Sequence, residues 1–138
     1  MIQLSKHFTL DEFIKSRTAV RLGINNIPNE EQLENIRLLV ENLLEPLRAH
    51  YGRPIIITSG FRSAELNKAV GGVKNSQHCT GQAADIRSVS DRRSDNKELF
   101  DMIIEMGLEF DQLIDEYDYN WIHVSFGNKN RNQILHVK

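Results

Sequence analysis

Residues 75–87 read NSQHCTGQAADIR, placing a histidine, a glycine, two alanines and an aspartate within the positions from His78 to Asp85. Imidazole and carboxylate are both donors for a divalent ion, and a catalytic zinc takes three protein ligands while keeping one position open for water. His78 falls in a glycine-rich loop and Asp85 in the small-residue strand that follows, so both can lie at one end of a sheet. Gly81, Ala83 and Ala84 leave room for close backbone approach between them. A third donor has to come from elsewhere. His123 in NWIHVSF is the best placed, in a strand where Trp121 shares its face because side chains alternate. Cys79 adjoins His78, but neighbouring residues in an extended loop point apart. His7, His50 and His136 have no comparable surroundings and read as surface or structural residues. A strand histidine is more often packed or hydrogen-bonded than metal-bound, so spacing alone leaves a metal site and a metal-free arrangement both open.

The elements that would hold these residues are legible in the pattern of apolar positions. TLDEFIKS opens with Thr9 and carries Glu12 three residues on, a capping-box signature for a short helix. NEEQLENIRLLVENLLEPLRAHYG is the strongest helical pattern: Asn29 can cap it, Gln32 can reach back, and the first turn is acidic. Leu33, Ile36, Leu39, Val40, Leu43, Leu44 and Leu47 form one apolar stripe. Pro46 lacks an N–H and clashes with the preceding turn, which predicts a kink or break there. PIIITSG reads as a buried strand ended by Gly60, and Ser63 caps the short helix AELNKAV. GGVKNSQHCTGQ is a loop, AADIR a strand, and SDNKELFDMIIEMG a second amphipathic helix stopped by Gly107. EFDQLIDEYDYNWIHVSF reads as two strands around a tight turn at Tyr117 to Asn120, and QILHV adds a last strand. Helices come first and strands gather late, so the fold class is α+β, with a mainly antiparallel sheet packed against helices.

The 138 residues suit a single domain spanning 1–138, with no linker or repeat to divide them. One cysteine rules out an internal disulfide framework and a multi-cysteine zinc site. A net charge of −2 gives no reason to expect nucleic acid as a partner, and DRRSD reads as a solvated turn. No stretch approaches the roughly 20 apolar residues of a membrane span, so no membrane partner is expected. MIQLSKHFTLDEF lacks the apolar run of a secretory signal, which places synthesis in the cytoplasm.

Three segments together carry a family likeness. SQHCTGQAAD resembles the Ser-x-His-x-x-Gly-x-Ala-x-Asp signature of the zinc D-alanyl-D-alanine carboxypeptidases and the related phage endolysin (L-alanyl-D-glutamate) peptidases. WIHV is similar to the family's Trp-x-His segment, and ITSGFRSAELNKAVGG to its Ser-Gly-aromatic-Arg-Ser segment. HFTLDEFIKSRTA and LEPLRAHYGRPIIITSG also resemble small members, so the likeness covers nearly the whole chain. The resemblance implies the hedgehog/DD-peptidase fold. It also implies one zinc ion held by His78, Asp85 and His123, which would lower the pKa of its water to about 7 and polarise the scissile carbonyl. Arg62 matches the family arginine and would donate to the oxyanion or the substrate carboxylate. Ser76 matches the signature serine and would orient substrate, or else stabilise the loop. Trp121 would wall the cleft, or else belong to the core.

The general base departs from the family pattern. Much of the family has an Asp or Glu three residues before the last histidine ligand, whereas Asn120 stands there and cannot take a proton from water at neutral pH. With Asp118 and Tyr119 at the centre of a two-residue turn, Glu116 would lie opposite Trp121, and directly opposed residues share a face. DQLIDEY also resembles the Leu-Ile-x-Glu segment of small phage-type members. Glu116 is therefore the expected base, and Asp118 the second choice, since a one-residue slip reverses the order. The expected function is a zinc-dependent peptidase cutting the D-Ala-D-Ala or L-Ala-D-Glu bond of the peptidoglycan stem peptide, acting at the cell wall as a phage or prophage lysin. The alternative is a zinc-containing cell-wall-binding or phage structural module that has lost the base.

Overall fold

The computed structural model describes residues 2–138. The longest helical run starts where Asn29 accepts a hydrogen bond from Gln32 N at 2.8 Å and Gln32 Oε1 accepts one from Asn29 N at 2.9 Å. This closes two of the backbone donors that a helix start leaves open. Helix α3 (Glu30–Leu39) then passes through a π-helical segment (Val40–Leu44) into α4 (Glu45–Tyr51). The kink or break expected at Pro46 falls just ahead of it, as this π-helical segment in place of a helix end. Pro46 has no N–H to give the Asn42 carbonyl, and the ladder widens just ahead of it, with Glu45 N reaching back to Val40 O. The stripe survives this change of pitch: Ile36, Leu39, Val40, Leu43, Leu44 and Leu47 are all buried.

Before this run lie α1 (Leu10–Ile14), where Glu12 Oε2 accepts from Thr9 N at 2.7 Å, and α2 (Arg17–Leu22). Helix α2 is too short for apolar periodicity to reveal. It is set by its ends, with Ser16 Oγ accepting from Ala19 N at 3.1 Å and Gly23 left-handed at φ 68°. Helix α5 (Ala64–Ala69) starts at Ser63, whose hydroxyl accepts from Leu66 N, and α6 (Arg93–Glu105) packs against the sheet. Among the described residues, no helix is long and apolar enough to cross a membrane.

The strands β1 (Ile55–Ser59), β2 (Ala83–Ser88), β3 (Gln112–Glu116), β4 (Trp121–Ser125) and β5 (Gln133–Val137) form one sheet in the order β1-β2-β4-β3-β5. The fold is α+β, and the sheet is mixed: β1–β2, β2–β4 and β3–β4 pair antiparallel, while the edge strand β5 runs parallel to β3. Ala84, Ile86, Leu113, Ile122 and Val124 are buried on one face, in a core shared with Leu43, Leu99 and Ile103. Each fully buried Leu or Ile contributes about 1.5–3 kcal/mol, so this face fixes which residues point the other way. Asp85, Arg87, Ile114, Glu116, Trp121 and His123 alternate with the core residues and are only half-buried.

The loop before β2 meets α3 at Gly81, which has φ +81° and would place a Cβ 2.5 Å from the Gln32 carbonyl oxygen. An alanine there suffers both a left-handed backbone and a clash with helical backbone that cannot swing aside. Gly81→Ala is expected to lower stability by about 2–4 kcal/mol, read as a fall in the urea midpoint. An unchanged midpoint would contradict this packing.

Candidate metal centre

Strand register alone brings two of the three expected donors together. In the β2–β4 pairing Asp85 lies directly opposite His123, flanked by the pairs Ala84–Val124 and Ile86–Ile122. Burial of those flanking pairs sends Asp85 and His123 to the open face, where His123 Nδ1 donates to Asp85 Oδ1 at 2.9 Å. Thr58 Oγ1, at a bulge in β1, donates to the Asp85 carbonyl at 3.2 Å and anchors the strand from its other side.

The third donor arrives on a short 3₁₀ helix (Gln77–Thr80) inside the glycine-rich loop. Ser76 caps it, accepting from His78 N at 3.2 Å, and Gly81 ends it. His78 is 3 % exposed, and its Nδ1 lies 2.7 Å from the Gly60 carbonyl oxygen. A carbonyl can only accept, so Nδ1 carries the proton and Nε2 keeps its lone pair, aimed at Asp85 Oδ1 at 3.5 Å. Gly60 reaches this position because it has no Cβ, which would meet the Phe13 backbone at 2.6 Å. One ligand atom each from His78, Asp85 and His123 lies within 4.8 Å of the others.

This donor set suits a zinc-like ion. Ligand atoms bound about 2.0–2.2 Å from one tetrahedral ion stand roughly 3.3–3.6 Å apart, the separation the His78–Asp85 pair already has. Burial by itself raises the Asp85 carboxyl, but the hydrogen bond from His123 and the adjoining His78 imidazole outweigh it and hold the group well below the usual carboxylate range. Two nitrogens and an ionised oxygen therefore converge at the exposed edge of the core. Cys79 is not in the cluster, and His7 and His136 are paired with Glu45 and Asp115 away from it.

The remaining candidates divide by face. Glu116 lies opposite Trp121 and therefore shares the face of His123, one diagonal step away. Burial pushes its carboxyl up, Asp85 adds to the rise, and His123 opposes it. The turn that delivers it is not the expected two-residue one. It spans Tyr117–Asn120, with Tyr117, Asp118 and Tyr119 all left-handed, yet the Glu116–Trp121 pairing is unchanged. Asp118 is turned away, 83 % exposed with its carboxylate 3.8 Å from Arg93 of α6, and is not brought to the cluster. Asn120 is exposed, and its N–H donates to the Glu116 carbonyl at 3.0 Å.

Trp121 is half-buried beside Tyr117, at 5.2 Å between ring centres. Arg62 lies next to the loop: its N–H donates to the His78 carbonyl at 3.1 Å, and its guanidinium donates to Ser76 Oγ at 3.4 Å. Ser76 itself is buried, so its hydroxyl holds the loop together instead of facing an open cleft.

Asp111 was not visible as a site residue in the sequence, where it is one acid among several ahead of a strand. It accepts from Arg131 Nε at 2.7 Å, from an Arg131 terminal nitrogen at 3.0 Å and from Gln77 Nε2 at 2.9 Å. It thereby ties the 3₁₀ helix carrying His78 to the approach to β5. The Arg131 hydrogen bond, acting against burial, lowers its pKa to about 2.

A carboxyl depressed in the folded state adds stability that is full above its unfolded pKa near 4 and is lost as pH falls through about 2. Arg131 is 57 % exposed, so solvent screens the pair. Asp111→Asn is expected to cost only about 1–2 kcal/mol at pH 7. In urea titrations the gap between wild type and variant should narrow by pH 3. A gap that stays constant with pH would show that the charge is not what Asp111 contributes.

No curated protein matches the chain. The family model described as Peptidase M15 matches residues 6–125, a span that takes in His78, Asp85, His123 and Glu116, and the chain belongs to that peptidase family.

Proposed function

We propose that this chain is a zinc-dependent peptidase that hydrolyses a peptide bond in the peptidoglycan stem peptide. The observation that carries the reading is the convergence of His78 Nε2, Asp85 Oδ1 and His123 Nδ1 on the same sheet face as Glu116. Those three atoms would hold the ion, once His123 Nδ1 gives up the proton it shares with Asp85. When bound, zinc supplies Lewis acidity, polarising a carbonyl and making water a nucleophile near neutral pH.

The chain's own residues do the rest. The Gly60 carbonyl keeps the proton on His78 Nδ1, so that Nε2 stays a donor atom. Glu116, one diagonal step from His123, takes the proton from the attacking water on its carboxylate and returns it to the leaving amine. Arg62, anchored to the ligand loop through its own N–H and Ser76, presents guanidinium donors to the developing oxyanion. Trp121 and Tyr117 form an aromatic wall beside Glu116.

Asn120 favours a second reading. An amide stands three residues before His123, where the related peptidases carry an acid, so a zinc-containing module that binds the wall or serves a phage particle without cutting is the alternative. Mass spectrometry of a peptidoglycan digest separates the two. The zinc-loaded protein is expected to release new carboxyl termini that are absent from a chelated control. Glu116→Gln should cut about 10²–10⁴-fold more slowly while keeping stoichiometric zinc, whereas Asp85→Asn should lose the metal. Bound zinc without any product would favour the non-cutting module, and a Gln variant as active as wild type would remove Glu116 as the base.

A further inference from the structure

The face of the sheet beside Asp85 opens into a cleft of about 680 Å³. Its floor is β1 and β2, one wall is α5 with Leu66 and Val70, and the other is the connection between α1 and α2. Four cationic side chains line it, Lys15, Arg17, Arg62 and Arg87, against a single acid, Asp85 itself. The chain as a whole carries a net charge of −2, so this local excess is not a consequence of composition.

Among the described residues, Lys15, Arg17 and Arg62 have no acidic partner within salt-bridge distance, and Arg87 has only the exposed Asp91 at 3.7 Å. The Nε of Arg62 is buried without any hydrogen-bond partner. Like charges gathered without counter-charges are unfavourable unless something else supplies the anions. The wall is also fixed in place. Asn26 is buried, and its side-chain amide donates to the carbonyls of Ile14 and Phe61 while its oxygen accepts from Ser63 N. The Lys15–Arg17 connection is thereby stitched to the segment that carries Arg62.

We infer that this cleft selects an acidic peptide, carrying two or more free carboxylates beside the bond to be cut. The inference rests on the peptidase reading and names its substrate class. Substrate bound at the His78–Asp85–His123 cluster and running across β1 and β2 meets Arg62 and Arg87 first, then Lys15 and Arg17 at the far wall. Guanidinium groups pair with carboxylates through two parallel hydrogen bonds, an arrangement that a neutral amide cannot match. A stem ending in D-Ala-D-Ala offers one terminal carboxylate to four cations. The L-Ala-γ-D-Glu junction, followed by a diamino diacid, offers several.

The test uses the zinc-loaded protein and two synthetic probes, the peptide L-Ala-γ-D-Glu-diaminopimelate-D-Ala-D-Ala, which holds both candidate bonds, and the same peptide with its side carboxylates amidated. The variant is Lys15→Gln/Arg17→Gln, both positions being exposed in the fold, with Lys97→Gln on α6 as the control. Wild type is expected to show a KM at least ten-fold lower for the acidic peptide. The double variant should lose most of that preference, at about two- to five-fold per cation, with little change in kcat, and higher salt should mimic it. Equal KM values for the two probes, or a preference that survives in the double variant, would overturn the inference while leaving the peptidase reading intact. If neither probe is cut although zinc is bound, the peptidase reading fails, and calorimetric binding of the same probes decides. Tighter binding of the acidic peptide to wild type but not to the double variant sustains the inference, and equal binding ends it.

Discussion

Side chains alternate along a strand, so the burial of Ala84, Ile86, Ile122 and Val124 leaves Asp85 and His123 no choice of face. Slipping β2 against β4 by one residue would bury the carboxylate and the imidazole and expose the aliphatic pairs. The hydrophobic core thus specifies the candidate metal centre without touching it. The same register carries across to β3, where Leu113 opposite Val124 is buried and Glu116 opposite Trp121 is not. Three strands pinned from below place two candidate ligands and an acid on one surface. Removing several Leu or Ile contacts would cost the register far more than any hydrogen bond at the site could restore.

His78 comes from outside this sheet register, and its position is set by several small constraints. Its ring is held by a backbone carbonyl, its helix is capped by Ser76, the far end of the loop is pressed onto α3 at Gly81, and the near end is tied to Asp111 through Gln77. Each is a modest interaction, but beside the loop's own cap they act from three separate segments. The loop therefore cannot shift in one direction without breaking a contact in another. A mobile loop would deliver a ligand only at an entropic cost when the ion binds. Here the imidazole is oriented beforehand, with the correct nitrogen free.

What could be read from the sequence follows from where the information lies. The long helix, the five strands and the facing of Asp85, His123 and Glu116 all rest on periodicity and pairing, which are local or depend on one hairpin. The three candidate ligand positions were suggested by spacing and chosen by family likeness, and their donor atoms lie within 4.8 Å of one another. Contacts between segments distant in sequence were not legible. Nothing in NSQHCTG shows that Ser76 is buried, nor that Gln77 meets an aspartate 34 positions away. Of the cations around the cleft only Arg62 was legible, because Lys15 and Arg17 flank the junction of two short helices and Arg87 is one strand residue of β2, and only the tertiary fold gathers them. Pro46 marked the place but not the form: the α-helical ladder is interrupted there by widening to π pitch just before the proline, and the helical run continues beyond it.

The hairpin between β3 and β4 shows how strain and site geometry are joined. Three consecutive non-glycine residues, Tyr117, Asp118 and Tyr119, have φ of 53°, 57° and 61°. Each costs of order 1 kcal/mol in that conformation. The turn persists because it is bonded from all sides: Tyr117 N donates to Val137 O, Tyr119 N to Asp115 Oδ1, Asn120 N to Glu116 O, and the Asn96 amide donates to the Tyr119 carbonyl. The edge strand β5 and helix α6 thus hold closed a loop that would relax if left alone. A relaxed two-residue turn would present Asp118 at its tip and add a further pair of strand residues beyond Glu116. The left-handed run instead ends the ladder at Glu116 and Trp121 and sends Asp118 toward Arg93. The acid at the last paired position of β3 is therefore the one left beside His123, and Asn120 need not carry an acid for this surface to have one.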